Sequence, residues 1–287
     1  MADREVQVYL NGAFLPRSEA KLDIEDRGAL FADGVYEVVA YFGGRPLAMA
    51  RHVARLRNSL RAIDMADGPA DDIEQVSNEV VRRSGHPNAR VYWQVTRGAA
   101  PRDHVFPKDV RPTVLVMARP VGPVDADAPV PTVKVALAED ERWHRCSIKA
   151  LMLLANVLAM NRASARGFDE AILHRGEVVT ECSRCSLFAV RGGELWTHPA
   201  DQWILGGITR AILIDLAKQL HIAVHERTFS VDQLLAAQEV FICGTGACLE
   251  AVTQIEQTRI SGGRVGPVTQ QLHHAYIAHI QQACGLV

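Results

Sequence analysis

Residues 120 to 131, PVGPVDADAPVP, hold four prolines and two aspartates with no apolar period. Proline fixes φ and removes a backbone donor, so such a run extends neither a helix nor a sheet and reads as an extended connector. It splits the 287 residues into two stretches, each long enough to bury a core of its own. The expected organisation is an N-terminal domain over 1–120, a linker over 121–132 and a C-terminal domain over 133–287.

Either side of the connector, the apolar period changes from segment to segment. Before it, VQVYLNG, VYEVVAYFGGRPLAM, RVYWQVTRG and TVLVMARP read as strands, with FGGRP as a hairpin turn. Two stretches near residues 51 to 64 and 71 to 84 are helical; in ARHVARLRNSL the spacing puts Val53, Leu56 and Leu60 on one face and Arg55 off it. After the connector come the strand-like TVKVALAED and an apolar stretch expected to be helical from Lys149 and to end at Gly167. DEAILHRGEVVTE and SLFAVRGGELWTH are hairpins about glycine turns. GGITRAILIDLAKQLH is a helix, and EVFICGTGA is a strand running into a glycine-rich loop. Mixed strands and helices of this kind imply an α+β fold.

Composition narrows the function. With 48% apolar and 22% charged residues the chain is neither disordered nor a membrane protein by composition, and a net charge of −2 disfavours nucleic-acid binding. The charged start MADREV lacks the apolar stretch of an export signal, and Ala150 to Met160, broken by Asn156, falls well short of the roughly 20 residues that span a bilayer. Six cysteines without an export signal read as reduced thiols. A cytoplasmic protein acting on small molecules is expected.

Lysine is scarce, five against 26 arginines, yet Lys149 heads the greasy run RWHRCSIKALMLLANVLAM. Such a lysine can snorkel to solvent. An amine beside apolar groups also loses part of its preference for charge, and a neutral amine is what Schiff-base chemistry requires. LGGITR (Leu205 to Arg210) and CGTGA (Cys243 to Ala247) bare backbone amides beside Thr209 and Thr245, which suits a phosphate, although short glycine motifs are equally ordinary turns. Arg97, Arg102 and His104 lie in a loop that can take a carboxylate or simply be solvated. Cys182, Cys185, Cys243 and Cys248 leave open a zinc-stabilised binding protein, although only the first pair has finger-like spacing.

Read in order, DRGALFADGVYEVVAY, HVARL, YWQVTRGAAPRDHVFP, RWHRCSIKALMLLANVLA, DEAILHRGEVVTE, THPADQWILGGITR and EVFICGTGA resemble the fold type IV pyridoxal-phosphate enzymes, with D-amino-acid aminotransferases matching best. The resemblance implies a two-domain fold, a smaller N-terminal α/β sandwich and a larger C-terminal pseudo-barrel. It implies that Lys149 is the Schiff-base lysine of pyridoxal 5'-phosphate and moves the proton at substrate Cα. By the same resemblance Glu181 pairs with the pyridine nitrogen and Leu205 packs on the ring. Arg55, Ile208, Thr209, Gly244 and Thr245 hold the phosphate, and Tyr36, Arg102 and His104 grip the substrate α-carboxylate. In that subfamily the arginine and histidine come from the partner subunit, so a homodimer with shared sites is implied, working on amino and 2-oxo acids. Departures are present: Cys182, Ser183, Arg184, Cys185 and Ser186 stand where the family commonly has Gly-Ser-Ser-Ser-Asn, and GRVGPVT and CGTGA look like branched-chain L-amino-acid aminotransferases. TECS looks like aminodeoxychorismate lyase. These two activities are the alternatives to D-amino-acid transamination.

Overall fold

The computed structural model describes residues 7–246 and 248–286; residues 1–6, Ala247 of the CGTGA loop and Val287 lie outside the described residues. The chain forms two compact units, and the partition is not contiguous. One unit comprises described residues up to Val124 together with Ile148–Met152 and residues 280–286; the other comprises Asp125–Ser147 and Leu153–His279. This partition by contacts differs from limits of 1–120, 121–132 and 133–287 in that Ile148–Met152 and residues 280–286 group with the first unit.

The first unit is a six-stranded antiparallel sheet with helices: β1 (Gln7–Leu10), β2 (Ala13–Pro16), α1 (Arg27–Phe31), β3 (Gly34–Phe42), β4 (Arg45–Pro46), α2 (Met49–Ala62), α3 (Ile73–Ser84), β5 (Ala89–Thr96) and β6 (Thr113–Pro120). The strand order is β2-β1-β6-β5-β3-β4. Gly43 and Gly44 turn the β3–β4 hairpin at φ +58° and +78°, a region that costs glycine little. In α2 the buried residues include His52, Leu56, Ser59 and Leu60. Val53, expected on that face, is only half-buried. A buried carboxylate, Glu37, has drawn His52 inward in its place, at 2.8 Å. Packing with a polar partner has rotated the helix relative to its purely apolar period.

The second unit carries β7 (Thr132–Glu139), α4 (Leu154–Ala165), β8 (Glu170–Arg175), β9 (Val178–Cys182), β10 (Ser186–Arg191), β11 (Glu194–Thr197), α5 (Ile208–Gln219), β12 (Val224–Glu226), α6 (Val231–Leu235), β13 (Glu239–Gly244), β14 (Cys248–Ile255), β15 (Thr258–Arg259) and α7 (Pro267–Cys284) as far as His279. Its nine-stranded mixed sheet runs β12-β11-β10-β13-β14-β7-β8-β9, with β15 paired to β14. β7 and β8 are parallel neighbours, which demands a crossover, and α4 supplies it. Ala159 and Ala163 lie against Ala136, Ala171 and Leu173, small residues that let the helix approach the sheet closely. Cys182 and Cys185 are part of the apolar core with Leu187, Val240 and Ile242. All six cysteines are free thiols. Among the described residues no helix is long and apolar enough to cross a membrane.

The helix expected to start at Lys149 starts at Leu154. The reason is where the backbone bonds go: Lys149 O accepts from Tyr36 N at 2.9 Å, Leu151 N donates to Gly34 O at 3.0 Å, and Ala150 bridges Val35. Backbone groups engaged with β3 cannot also close helical rings. Gly34 makes that pairing possible, since a Cβ there would lie 2.6 Å from Val95 O and 2.8 Å from a methyl of Leu151.

Candidate active site

In the first unit Lys149 and Tyr36 are brought together by this pairing. The Lys149 Nζ lies 4.2 Å from the centroid of the Tyr36 ring, which in turn stacks on Tyr92 at 5.7 Å. Burial, and then the neighbouring Tyr36, push the Tyr92 hydroxyl up to about 12, so it is neutral and donates to Gln94 Oε1 at 2.9 Å. Ser59 Oγ accepts from Lys149 N at 3.3 Å.

One helical turn before Ser59, Arg55 donates from Nε to Glu37 Oε1 at 2.6 Å and from Nη2 to Glu37 Oε2 at 3.0 Å. Glu37 is 0% exposed. Burial works to raise its carboxyl, but the Arg55 charge and the His52 and Arg55 hydrogen bonds outweigh that and hold it at about 2. His52 is shifted the other way for a cation: burial first lowers its basicity, and the Glu37 contact only partly offsets this. Glu37 is thus an anion whose counter-charge is Arg55.

Arg102 and His104, also in the first unit, are exposed and both lie against Phe31, with Arg102 Cζ 5.1 Å from the ring centroid and the His104 ring 5.4 Å away. The loop is pinned between them by Arg27, whose Nη1 donates to Asp103 O at 2.6 Å. Arg97, read alongside them in the sequence, does something else. It is buried and forks onto Asp33 at 2.8 and 3.0 Å, with a further bond to Ile63 O at 2.7 Å. It is a structural cation under the loop.

In the second unit Glu181 is 5% exposed and accepts from Arg142 Nη1 at 2.5 Å and from the Leu205 amide at 3.1 Å. Arg142 is held on its far side by Asp140, through Nε and Nη2 at 2.9 Å each, and by Trp203 O at 3.1 Å. Burial opposes the Asp140 charge, yet hydrogen bonds and charge from Arg142 outweigh it and keep the carboxyl below its ordinary range. A carboxylate, a fixed guanidinium and a second carboxylate in line present Glu181 as a stiff anion.

The two glycine turns of this unit meet at the start of β10. Ser186 pairs with Cys243, the residue before Gly244. A Cβ on Gly244 would touch Cys185 Sγ at 3.8 Å, and one on Gly207 would clash with Ser186 Oγ at 2.6 Å. Gly207 is the N-cap of α5 and makes no side-chain cap bond, so the first amides of α5, with Ile208 and the buried Thr209, form an uncapped positive end beside the Gly244–Thr245 turn. Arg184, next along, is anchored through Nε to the buried Glu170 at 3.0 Å. Glu170 also accepts from Ser183 Oγ and from Ala171 N, the latter at 2.8 Å. Among the described residues no three His, Cys, Asp or Glu side chains gather as a metal site.

The structure thus places Tyr36, Arg55, Lys149, Arg102 and His104 on the first unit, and Glu181, Leu205, Ile208, Thr209, Gly244 and Thr245 on the second. Taken by itself, the second unit offers an uncapped helix end and threonine hydroxyls of the kind that suit a phosphate and a stiff carboxylate of the kind that suits a ring nitrogen, and the first offers an arginine and an amine. Glu37, Asp140 and Arg142 support these groups and were not singled out by sequence. A charged residue inside an otherwise apolar strand, as Glu37 is in VYEVVAYF, is the signal that was there to be read.

The model of the family Amino-transferase class IV matches residues 34–255, and the chain belongs to this family. It is 40% identical over 284 residues to a D-alanine aminotransferase of Listeria monocytogenes, covering 98% of each chain, and 36% identical over 281 residues to that of Staphylococcus haemolyticus, covering 96% of this chain and 98% of the relative. Among solved structures, the branched-chain amino acid aminotransferase of Escherichia coli superposes with a TM-score of 0.89 at 24% identity over 96% of this chain and 95% of that one, a likeness of fold. The branched-chain amino acid aminotransferase of Thermoproteus uzoniensis, solved with norvaline, gives 0.86 at 26% identity over 98% and 97%.

Proposed function

We propose that this aminotransferase moves the amino group of a D-amino acid, such as D-alanine or D-glutamate, to a 2-oxo acid, 2-oxoglutarate or pyruvate, using pyridoxal 5'-phosphate. The observation that carries the reading is the 40% identity to D-alanine aminotransferase across 98% of both chains. The exposed pair Arg102 and His104 on Phe31 supports it as a carboxylate grip.

When bound, the cofactor supplies an electrophilic carbon for the amino group and a sink for the electrons of the Cα–H bond. Lys149 Nζ holds it and carries the proton from and back to the substrate. The carboxylate of Glu181 keeps a proton on the ring nitrogen, and Arg142 prevents that carboxylate from turning away. Arg55, the amides of Ile208, Gly244 and Thr245, and the Thr209 hydroxyl hold the phosphate, while Leu205 packs on the ring. Tyr36 flanks Lys149 and orients the substrate carboxylate. Arg102 and His104 act on the site of a second copy, which makes the working enzyme a homodimer. Six free thiols suit the reducing cytoplasm.

The likeness at 26% identity to the Thermoproteus uzoniensis enzyme favours branched-chain L-amino acids as a second reading. A donor panel of D- and L-amino acids with 2-oxoglutarate separates the two: D-alanine or D-glutamate should turn over well and L-leucine poorly. L-leucine turning over faster than every D-amino acid would reverse the assignment. Borohydride should leave the cofactor covalently on Lys149, as read by peptide mapping.

A further inference from the structure

Arg55 and Glu37 lie 18 residues apart and meet in a two-pronged ion pair at 2.6 and 3.0 Å, on a carboxylate that is 0% exposed, while the arginine side chain is 13% exposed. An anion buried beside a proposed phosphate-binding cation poses a problem of sign. Through space its charge repels a phosphate; through Arg55 it fixes the guanidinium plane and removes the rotamer freedom that binding would otherwise have to freeze out. Geometry decides between these. Both prongs of the fork bear on Glu37, and His52 Nδ1 contacts Oε2 at 2.8 Å, so the carboxylate itself has no freedom to follow a wandering arginine. Glu37 is also adjacent in β3 to Tyr36, whose amide donates to Lys149 O at 2.9 Å, so one strand ties the arginine and the lysine to a common frame.

We propose that Glu37 is a positioning residue for cofactor binding, holding Arg55 in its phosphate-facing orientation, and that its charge favours the cofactor on balance; this rests on the reading of Arg55 as a phosphate ligand. Neither prong survives unchanged in Glu37→Gln, which keeps the shape but removes the counter-charge that keeps the guanidinium inside the protein.

The experiment measures pyridoxal 5'-phosphate dissociation constants by absorbance titration, with thermal midpoints recorded on the same proteins. Glu37→Gln should weaken cofactor binding about tenfold, since a charged hydrogen-bond pair is lost. Glu37→Asp, which keeps the charge on a shorter arm and guards against a variant that fails to fold, should weaken it by a smaller factor. Inorganic phosphate should compete less well with the cofactor in both variants. In the Arg55→Lys background, which has no guanidinium fork to align, adding Glu37→Gln should change the dissociation constant little. Tighter cofactor binding by Glu37→Gln would mean that through-space repulsion wins, and unchanged binding with a lower thermal midpoint would mean a purely structural carboxylate; either overturns the proposal. Arg55→Lys leaving cofactor binding untouched would instead overturn the phosphate reading of Arg55 on which the proposal stands.

Discussion

Buried ion pairs of this chain behave as scaffolds for single reactive atoms, and the cost of breaking them depends on which partner is left behind. Arg142 sits between two buried carboxylates, Asp140 and Glu181. Arg142→Ala takes the guanidinium from Glu181, while Asp140 keeps Arg175 at 3.3 Å and the Thr180 hydroxyl at 3.0 Å, so it should lower unfolding stability by about 3 kcal/mol, the lower end of what breaking a buried pair costs, and reduce turnover besides; denaturant titration and donor kinetics check the two effects. Glu181→Gln keeps the shape and one acceptor, so its rate should fall more than its cofactor affinity. Arg102 is exposed, and the contrast is useful. Arg102→Ala should leave stability within about 0.5 kcal/mol while lowering kcat/KM for amino acids roughly 10- to 100-fold, chiefly through KM.

At the scale of elements, the first turn of α5 is placed by a close approach that only glycine allows. Gly207 has φ −66°, so the backbone would accept alanine; the obstacle is Ser186 Oγ at 2.6 Å from the new Cβ. Gly207→Ala should cost about 1 to 3 kcal/mol by overpacking and weaken cofactor binding as the α5 amides shift. Adding Ser186→Ala should restore most of both, and Gly206→Ala, whose Cβ would meet nothing within 4 Å, should be close to neutral. A thermal midpoint and a cofactor titration on the three proteins decide it. Equal losses in Gly206→Ala and Gly207→Ala would point to backbone entropy instead of contact.

For the whole molecule, acid is the condition under which the buried carboxylates report themselves. Glu37 ionises at about 2 in the fold against 4.5 ordinarily, so its contribution is complete above 4.5 and is lost as pH falls toward 2. That shift corresponds to something on the order of 3 kcal/mol. Asp33 and Asp140, also held low, act in the same direction, as does His52, whose neutral form the fold favours below its ordinary 6.5. The urea midpoint should therefore begin to fall below pH 6.5, where His52 takes a proton in the unfolded chain, and fall further below 4.5 as the carboxylates do, and Glu37→Gln should flatten the lower part of that fall. The proposed sharing of sites between subunits has a test of its own. Mixing Lys149→Ala with Arg102→Ala and allowing subunits to exchange at random should restore about a quarter of wild-type activity at low substrate, because one site in each mixed dimer is intact. No recovery would place Arg102 on the same subunit as the lysine it serves.

Hairpins about paired glycines, the helical α3 and the α5 helix behind its glycine turn were legible from sequence alone, because each is a local pattern of period or turn chemistry. The extended connector before β7 was legible for the same reason. What tertiary structure decided is pairing across distance: Glu37 with Arg55 18 residues on, Arg142 with Glu181 39 residues on, and the backbone around Lys149 with β3 instead of with its own helix. Period says which side of an element is buried, but not what it is buried against. An apolar run such as IKALMLL satisfies its backbone equally well as helix or as strand partner, and the choice fell to the open edge that Gly34 offers.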